Sequence, residues 1–259
     1  VAKTWTPRKV VGVKHARPLI VDRHDRSGFV REMVALSWRP MDQVVLYVVR
    51  PKGVARPPVT IMVYGFPDMN GRFLDDDYCQ RVVANGYAVA GFQGALTGDR
   101  YRDRPMREWY VSELAEATAS TAQDIQHVTD YLQTRSDLDA RNVAFFGSGS
   151  AASAGILAAS VDSRIKVLDL INPWGAWPVW LKSAAIVPSK DRPLYHTAGF
   201  LSALRSLEPI NALPSLKGRQ IRLNLIEDDP DLPSALVGSL VRAAPKGAQI
   251  IRHPDSILF

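Results

Sequence analysis

The sequence is poor in the residues that build covalent or metal-bound frameworks. Its 259 residues include one cysteine, Cys79, which excludes an intramolecular disulfide and a cysteine-cluster metal site. The five histidines have no spacing typical of metal ligands, and no His-Glu-x-x-His motif is present. No apolar run reaches the roughly 18 to 20 residues that a membrane-spanning helix needs. We therefore expect a soluble protein with no metal, no other cofactor and no membrane partner.

Basic residues outnumber acidic residues, 32 to 26, which gives a net charge of +6. The densest basic cluster is interspersed with acidic residues, a pattern typical of a solvated surface loop and not of a nucleic-acid site. We expect no nucleic-acid partner. The cluster comprises Arg100, Arg102, Arg104 and Arg107, together with Asp99, Asp103 and Glu108.

The composition, 46% hydrophobic and 22% charged, is typical of one folded domain. We assign this domain to residues 29–259, after an N-terminal extension over residues 1–28. The first residue is Val1 and not methionine, so both a cytoplasmic location and export after removal of a leader are compatible with the sequence. The oligomeric state is left open.

The order of apolar runs predicts an α/β fold. Residues 29–37 and 43–50 form two β-rich runs that suit an antiparallel hairpin. The later runs alternate with helical patterns, which favours parallel pairing in a mostly parallel eight-stranded sheet flanked by helices. These strands are predicted at 59–64, 87–92, 142–146, 165–171, 220–226 and 249–252, and the helices at 70–85, 111–135, 151–160 and 234–244. The proline-containing segment from about 172 to 217 predicts a small cap after the sixth strand.

A glycine stands at the most informative turn of the chain. The apolar run Val143-Ala144-Phe145-Phe146 leads into Gly147-Ser148-Gly149-Ser150. This sequence resembles the nucleophile elbow of the α/β-hydrolase superfamily, in its esterase and dienelactone-hydrolase-like branches, with Gly149 in the place of the nucleophilic serine. Since glycine has no nucleophilic side chain, serine-based hydrolysis is not expected at this position.

The same resemblance implies where the other site residues should lie. The oxyanion-hole amides would be the backbone N–H groups of Phe66 and Ser150, and the acid would be Asp229, with Asp228 as second choice. The position of the family's histidine falls on Leu258, so the base is lost as well. We therefore predict a hydrolase-like pseudoenzyme with a degenerate triad that binds a small molecule or a partner.

Two alternatives remain open at this stage. An active ester or lactone hydrolase would use a displaced Ser148 or Ser150 as nucleophile, with His253 as base and Asp229 as acid. A lyase or cyclase would use the oxyanion amides together with Asp228 or Asp229.

Three tryptophans predict either a ligand site or a packing contact. Trp174, Trp177 and Trp180 are spaced three residues apart and would share one helical face in the cap. If that face covers the cleft, it forms an aromatic roof for an apolar or planar ligand, with Tyr64 from the strand before the oxyanion position. Alternatively, the tryptophans pack the cap onto the body of the domain.

Overall fold

The computed structural model describes residues 17–40, 42–67, 71–101 and 110–254, which form a nine-stranded sheet with helices on its faces. The sheet order is β1-β2-β3-β5-β4-β6-β7-β8-β9. The β1–β2, β2–β3 and β3–β5 pairs are antiparallel, and all others are parallel. The strands are β1 Leu19–Asp25, β2 Phe29–Arg39, β3 Asp42–Pro51, β4 Pro58–Tyr64, β5 Ala88–Gln93, β6 Asp139–Ser148, β7 Ile165–Ile171, β8 Gln220–Ile226 and β9 Gln249–His253.

The helices occupy the connections between the parallel strands. The long helix α2 packs against α3, and α3 packs against β4, β6 and β7. Four short helices fill the long connection between β7 and β8. The helices are α1 Asp76–Val82, α2 Leu114–Gln133, α3 Gly149–Val161, α4 Trp177–Ser183, α5 Arg192–Tyr195, α6 Ala198–Leu204, α7 Pro209–Ala212 and α8 Ser234–Ala243.

The predicted α/β class and mostly parallel sheet are confirmed, but the predicted count of eight strands is wrong by one. The additional strand is β1, which pairs antiparallel with β2. Almost all of its residues are exposed, so β1 shows none of the hydrophobic alternation that marks a half-buried strand. An edge strand of this kind forms by pairing with its neighbour, so its own sequence carries no recognisable strand pattern.

The first predicted helix is divided in the structure. Residues 71–74 form a single 3₁₀ turn, and α1 begins only after Asp75. The Asp75 carboxylate accepts hydrogen bonds from the backbone amides of Asp77 and Tyr78, at 2.8 and 3.1 Å, and so acts as the N-cap. The helical spacing of apolar residues continued through this boundary, whereas the capping residue set the true start.

The hydrophobic core lies between β4 to β8 and helices α2 and α3. In β4, Val59, Ile61 and Val63 are at most 3% exposed, and they alternate with partly exposed residues on the other face. Cys79 is buried and forms no disulfide. Within the described part of the chain, no helix combines the length and the apolar character required to cross a bilayer.

Arg100 corrects the interpretation of the basic cluster as a solvated loop. Its side chain is 5% exposed and bridges the carboxylates of Asp42 and Asp124, at 2.7 and 2.8 Å. Arg39 binds the same two carboxylates. The local sequence did not predict these ion pairs, because Asp42 and Asp124 are both remote from Arg100 in the chain. Residues Arg102, Arg104 and Arg107 lie outside the described residues.

Candidate active site

A sharp strand-to-helix turn lies at the predicted elbow. Strand β6 ends at Ser148 and α3 begins at Gly149, which has φ = +52°. This left-handed conformation is easily adopted by glycine and strained for other residues. The sharp strand-to-helix turn therefore stands where the sequence predicted it.

Trp174 fills the space in front of the elbow. A β-carbon added to Gly149 would lie 3.2 Å from Nε1 and 3.3 Å from Cε2 of the Trp174 indole. Such contacts are already tight for a β-carbon, and a serine hydroxyl would extend beyond it. A side chain at residue 149 would therefore require the indole to shift.

The backbone around Trp174 is fixed to the elbow. The Trp174 amide donates a hydrogen bond to the Gly149 carbonyl at 3.4 Å. The Ser153 hydroxyl donates to the Trp174 carbonyl at 2.7 Å and also contacts the Gly149 carbonyl at 3.1 Å. On either side of Trp174, Asn172 and Ala176 have positive φ values of 42° and 46°. The chain therefore bends sharply before and after the tryptophan, a conformation that is strained for alanine.

Glu208 holds the next turn of this segment. Its carboxylate accepts hydrogen bonds from the backbone amides of Ala176 at 2.8 Å and Trp177 at 3.0 Å, at the N-terminus of α4. Burial raises the pKa of the Glu208 carboxyl, although these backbone amides oppose the shift. Glu208 is a positioning residue because it fixes the start of the helix that follows Trp174.

Trp174 belongs to a stack that we name the aromatic cluster, composed of Phe66, Tyr110, Trp174, Trp177 and Trp180. Phe66 stacks on Tyr110 with ring centroids 4.5 Å apart, and Tyr110 meets Trp174 edge to face at 6.4 Å. Trp174 lies 4.5 Å from Trp180, which contacts Trp177 at 5.9 Å. The cluster connects the oxyanion segment to the cap.

The three tryptophans are at most 4% exposed, so they pack the cap onto the body and do not line an open cleft. The indole N–H of Trp177 donates to the Leu207 carbonyl at 2.9 Å, and that of Trp180 donates to the Asp231 carbonyl at 3.0 Å. These two donors are therefore already used. Trp174 precedes α4 and does not share its helical face, because the backbone turns at Ala176.

The two segments expected to form the oxyanion hole lie close together. A β-carbon on Gly65 would be 2.3 Å from the Ser150 Oγ and 2.7 Å from the Ala151 amide, so only glycine allows β4 to approach α3 this closely. Gly65, which directly precedes Phe66, thus lies against Ser150. The use of the Phe66 and Ser150 amides as oxyanion donors stays a prediction.

The Ser150 hydroxyl is buried and has no well-aligned hydrogen-bond partner among the described residues. Its neighbour Tyr110 is fully enclosed: burial raises the pKa of the Tyr110 hydroxyl to about 12, and the Ser150 hydroxyl opposes this shift. Tyr110 is therefore neutral at physiological pH. A neutral phenol does not act as a base, so Tyr110 does not activate Ser150.

The acid position, Asp229, is bound within the protein. Its carboxylate accepts hydrogen bonds from the Asn172 side chain and from the Asp231 amide, the latter at 2.8 Å. Asp228 is exposed on the neighbouring turn. The described residues bring no histidine to Asp229, and Leu258, at the predicted histidine position, lies outside them.

The displaced alternatives are not brought together. Ser148 is in β6 and His253 in β9, separated by β7 and β8. Three strand spacings correspond to roughly 14 Å. The His253 Nε2 instead lies 3.2 Å from the Asn224 Oδ1. Tyr64, the fourth candidate ligand residue, shares a hydrogen bond of 2.7 Å with the Tyr78 hydroxyl.

Sequence reasoning missed three residues that shape the site. Tyr110 and Ser153 carried no motif, and Glu208 contacts a turn about thirty positions earlier. A glutamate directly before Pro209 fits a helix N-terminus, which was the only local signal for Glu208. Among the described residues, no group of three potential metal ligands comes together.

Solved structures share this architecture over almost the whole chain. Acetyl xylan esterase from Paenibacillus sp. R4 superimposes with a TM-score of 0.73, covering 94% of this chain and 84% of that one at 14% identity. The chain has the α/β-hydrolase fold. Acetyl xylan esterase 1 from Thermoanaerobacterium sp. JW/SL YS485 gives a TM-score of 0.67, with coverages of 93% and 82% and 14% identity. Glucuronoyl esterase from Solibacter usitatus gives 0.63, with coverages of 97% and 84% and 15% identity.

No family model matches the chain, and neither does any curated protein sequence. At identities of 14–15%, the similarity of the α/β-hydrolase structures extends to the fold alone.

Proposed function

We propose that this α/β-hydrolase-fold protein is a pseudoenzyme that does not hydrolyse esters and acts by binding. The observation that carries the proposal is the position of the Trp174 indole, 3.2 Å from the point where a β-carbon of residue 149 would stand. An attacking side chain and this indole require the same volume. The tryptophan therefore replaces a catalytic pocket with packed core.

The surroundings of Trp174 support a permanent arrangement. Ser153 binds the Trp174 carbonyl, Glu208 binds the amide of Ala176, and Trp174 itself is 4% exposed. Opening the elbow would require the buried indole to leave the aromatic cluster. Exposing an apolar side chain of this size to water costs about 3 kcal/mol. A ligand would have to supply this energy before any reaction.

The geometry argues against the displaced-serine alternative. Ser150 is 5% exposed, and Ser148 is separated from His253 by two intervening strands. A nucleophile and its base must come within about 2.6 to 3.2 Å of each other. Neither serine meets that requirement with any histidine in the described part of the chain.

Labelling with a fluorophosphonate probe tests the proposal. We expect no adduct by intact mass and no turnover of p-nitrophenyl acetate above the buffer rate, while an active serine esterase is labelled under the same conditions. If an adduct forms, peptide mapping identifies the serine, and the variants Ser148→Ala and Ser150→Ala provide matched controls. Labelling or turnover that one of these variants abolishes would overturn the proposal.

A further inference from the structure

The turn that carries Trp174 begins at a residue whose backbone conformation the local sequence disfavours. Asn172 has φ = +42° and directly precedes Pro173. A residue before proline favours an extended backbone with negative φ, because the proline ring crowds it. The ring also fixes the φ of Pro173 itself, which leaves little freedom between Asn172 and Trp174. The path of the chain into Trp174 therefore depends on the conformation of Asn172.

The side chain of Asn172 is held at both of its polar atoms. Asn172 is 2% exposed, and its Oδ1 accepts a hydrogen bond from the Ile226 amide at 2.8 Å. Because this bond sets the orientation of the side-chain amide, its Nδ2 donates to the Asp229 carboxylate. Unfavourable backbone conformations persist where surrounding contacts determine them. The contacts that hold Asn172 come from the end of β8 and from the loop that follows it.

The same loop also binds the far end of the segment that contains Trp174 and α4. The Asp229 Oδ1 accepts a hydrogen bond from the Asp231 amide at 2.8 Å, and the Asp231 carboxylate accepts one from the Ile186 amide at 2.6 Å. The Pro230 carbonyl accepts a hydrogen bond from the Ala185 amide at 3.0 Å. The loop after β8 is therefore bonded to this segment both before Trp174 and after α4.

Asp229 stands at the acid position, but its contacts differ from those of a catalytic acid. In a Ser-His-Asp site the acid binds and orients the histidine. In this chain the two oxygens of Asp229 bind the Asn172 side chain and the Asp231 amide. We propose that Asp229 is a positioning residue that, through Asn172, holds Trp174 against Gly149 and keeps the elbow closed. The inference rests on the proposed function, because it takes the closed elbow as the working state of the protein.

Hydrogen exchange of the Trp174 amide, followed by ¹⁵N NMR, tests this inference. That amide bonds to the Gly149 carbonyl, so its exchange reports on contact between the turn and the elbow. Asp229→Asn has a single side-chain oxygen and cannot accept hydrogen bonds from Asn172 and from the Asp231 amide through separate oxygens. We expect the Trp174 amide to exchange about ten-fold faster or more, relative to the amide of Leu168 in the core of β7.

A matched control and a swap variant separate this role from a general loss of stability. Asp228→Asn is the control, because it makes the same change at the exposed neighbour, and it should leave exchange of the Trp174 amide unchanged. The swap variant combines Asn172→Asp with Asp229→Asn, which restores the bond between the two side chains with donor and acceptor reversed. Its exchange should return to within about three-fold of the parent, whereas Asn172→Asp alone opposes two carboxylates and should exchange faster than the parent.

Two outcomes would overturn the inference. The first is an equal rate of Trp174 amide exchange in Asp229→Asn and Asp228→Asn. The second is a swap variant that behaves as Asp229→Asn alone does, either in its exchange or, by far-UV circular dichroism, in failing to fold. If Asp229→Asn does not fold and the swap variant does, the inference is supported. Fluorophosphonate labelling of the parent would overturn the proposed function instead, since amide exchange does not depend on reactivity.

Discussion

The Trp174 indole packs directly against Gly149, only 3.2 Å from the point where a β-carbon of residue 149 would stand. The expected result is strong coupling between the two residues in a double-mutant cycle. Gly149→Ala introduces a β-carbon 3.2 Å from the indole at φ = +52° and should destabilise the protein by about 1–3 kcal/mol. Trp174→Ala should cost about 3–5 kcal/mol through the cavity it leaves.

The double variant Gly149→Ala/Trp174→Ala should be more stable than the sum of the single effects predicts, by at least about 0.5 kcal/mol, because the clash is removed with the indole. Urea unfolding measures all four free energies. Leu194→Ala, at a side chain that is 55% exposed, is the control and should change stability by less than about 0.5 kcal/mol. Additive effects would show that the two residues do not compete for space.

Replacing Glu208 should change how stability depends on pH. Because burial raises its pKa in the folded state, the native protein binds the proton more tightly than the unfolded chain does. The stabilisation from this proton is complete below the unfolded pKa and is lost as pH rises through the folded pKa. Glu208→Gln cannot titrate, and its amide group faces a backbone donor, so it should destabilise by about 1–3 kcal/mol.

The difference in unfolding free energy between the parent and Glu208→Gln should therefore be largest at acidic pH and smaller at neutral pH. Unfolding in urea at pH 4 to 7 measures it. Glu227→Gln is a matched control on the surface, where the carboxylate pairs with Arg252. A difference that grows as pH rises would contradict the assignment.

Replacing glycine by alanine should destabilise the protein at one helical position and stabilise it at another. In α3, a β-carbon on Gly155 would lie 2.1 Å from the ring of Phe145, which is 1% exposed. Overpacking should then cost about 1–3 kcal/mol and outweigh the helix propensity of alanine. In α6, Gly199 has nothing within 4 Å of the added carbon, so Gly199→Ala should stabilise by up to about 1 kcal/mol. Thermal or urea unfolding of both variants distinguishes the two effects.

Removing the negative charge of Asp124 should leave the positive charges of two arginines only partly neutralised. The Asp124 side chain is fully buried and pairs with both Arg39 and Arg100. Breaking a buried pair in this way costs about 3–5 kcal/mol, so Asp124→Asn should be strongly destabilised in urea unfolding. Asp139→Asn, which removes a surface pair with Arg141, should behave as the parent. Similar stabilities for the two variants would show that the buried cluster is dispensable.

The sequence predicted the central fold well because local patterns determine it. The ranges of β7 and β8 agree with the structure to the residue, since each is a continuous β-rich run between turn signals. The elbow was also visible, because Gly-Ser-Gly-Ser follows the apolar run of β6. Strand β1 was missed because its pairing depends on β2 and not on a hydrophobic face.

The sequence did not reveal that Trp174 packs against the elbow, because that packing depends on contacts between residues far apart in the chain. Glu208 reaches Ala176 across 32 positions, and Arg100 reaches Asp42 across 58. The tryptophan spacing correctly marked an aromatic group, but spacing alone does not distinguish a roof over a cleft from a packed core. The backbone bends at Asn172 and Ala176, where φ is positive, and neither residue type requires that conformation.

The aromatic cluster also makes the elbow observable by spectroscopy. Three of the six tryptophans of the chain are buried together, since Trp174 and Trp177 both contact Trp180. The emission of these three indoles is therefore shielded from water and from quenchers such as acrylamide. Any event that loosens the turn at Gly149 should shift this emission to longer wavelength, so the protein carries its own fluorescent reporter of that region.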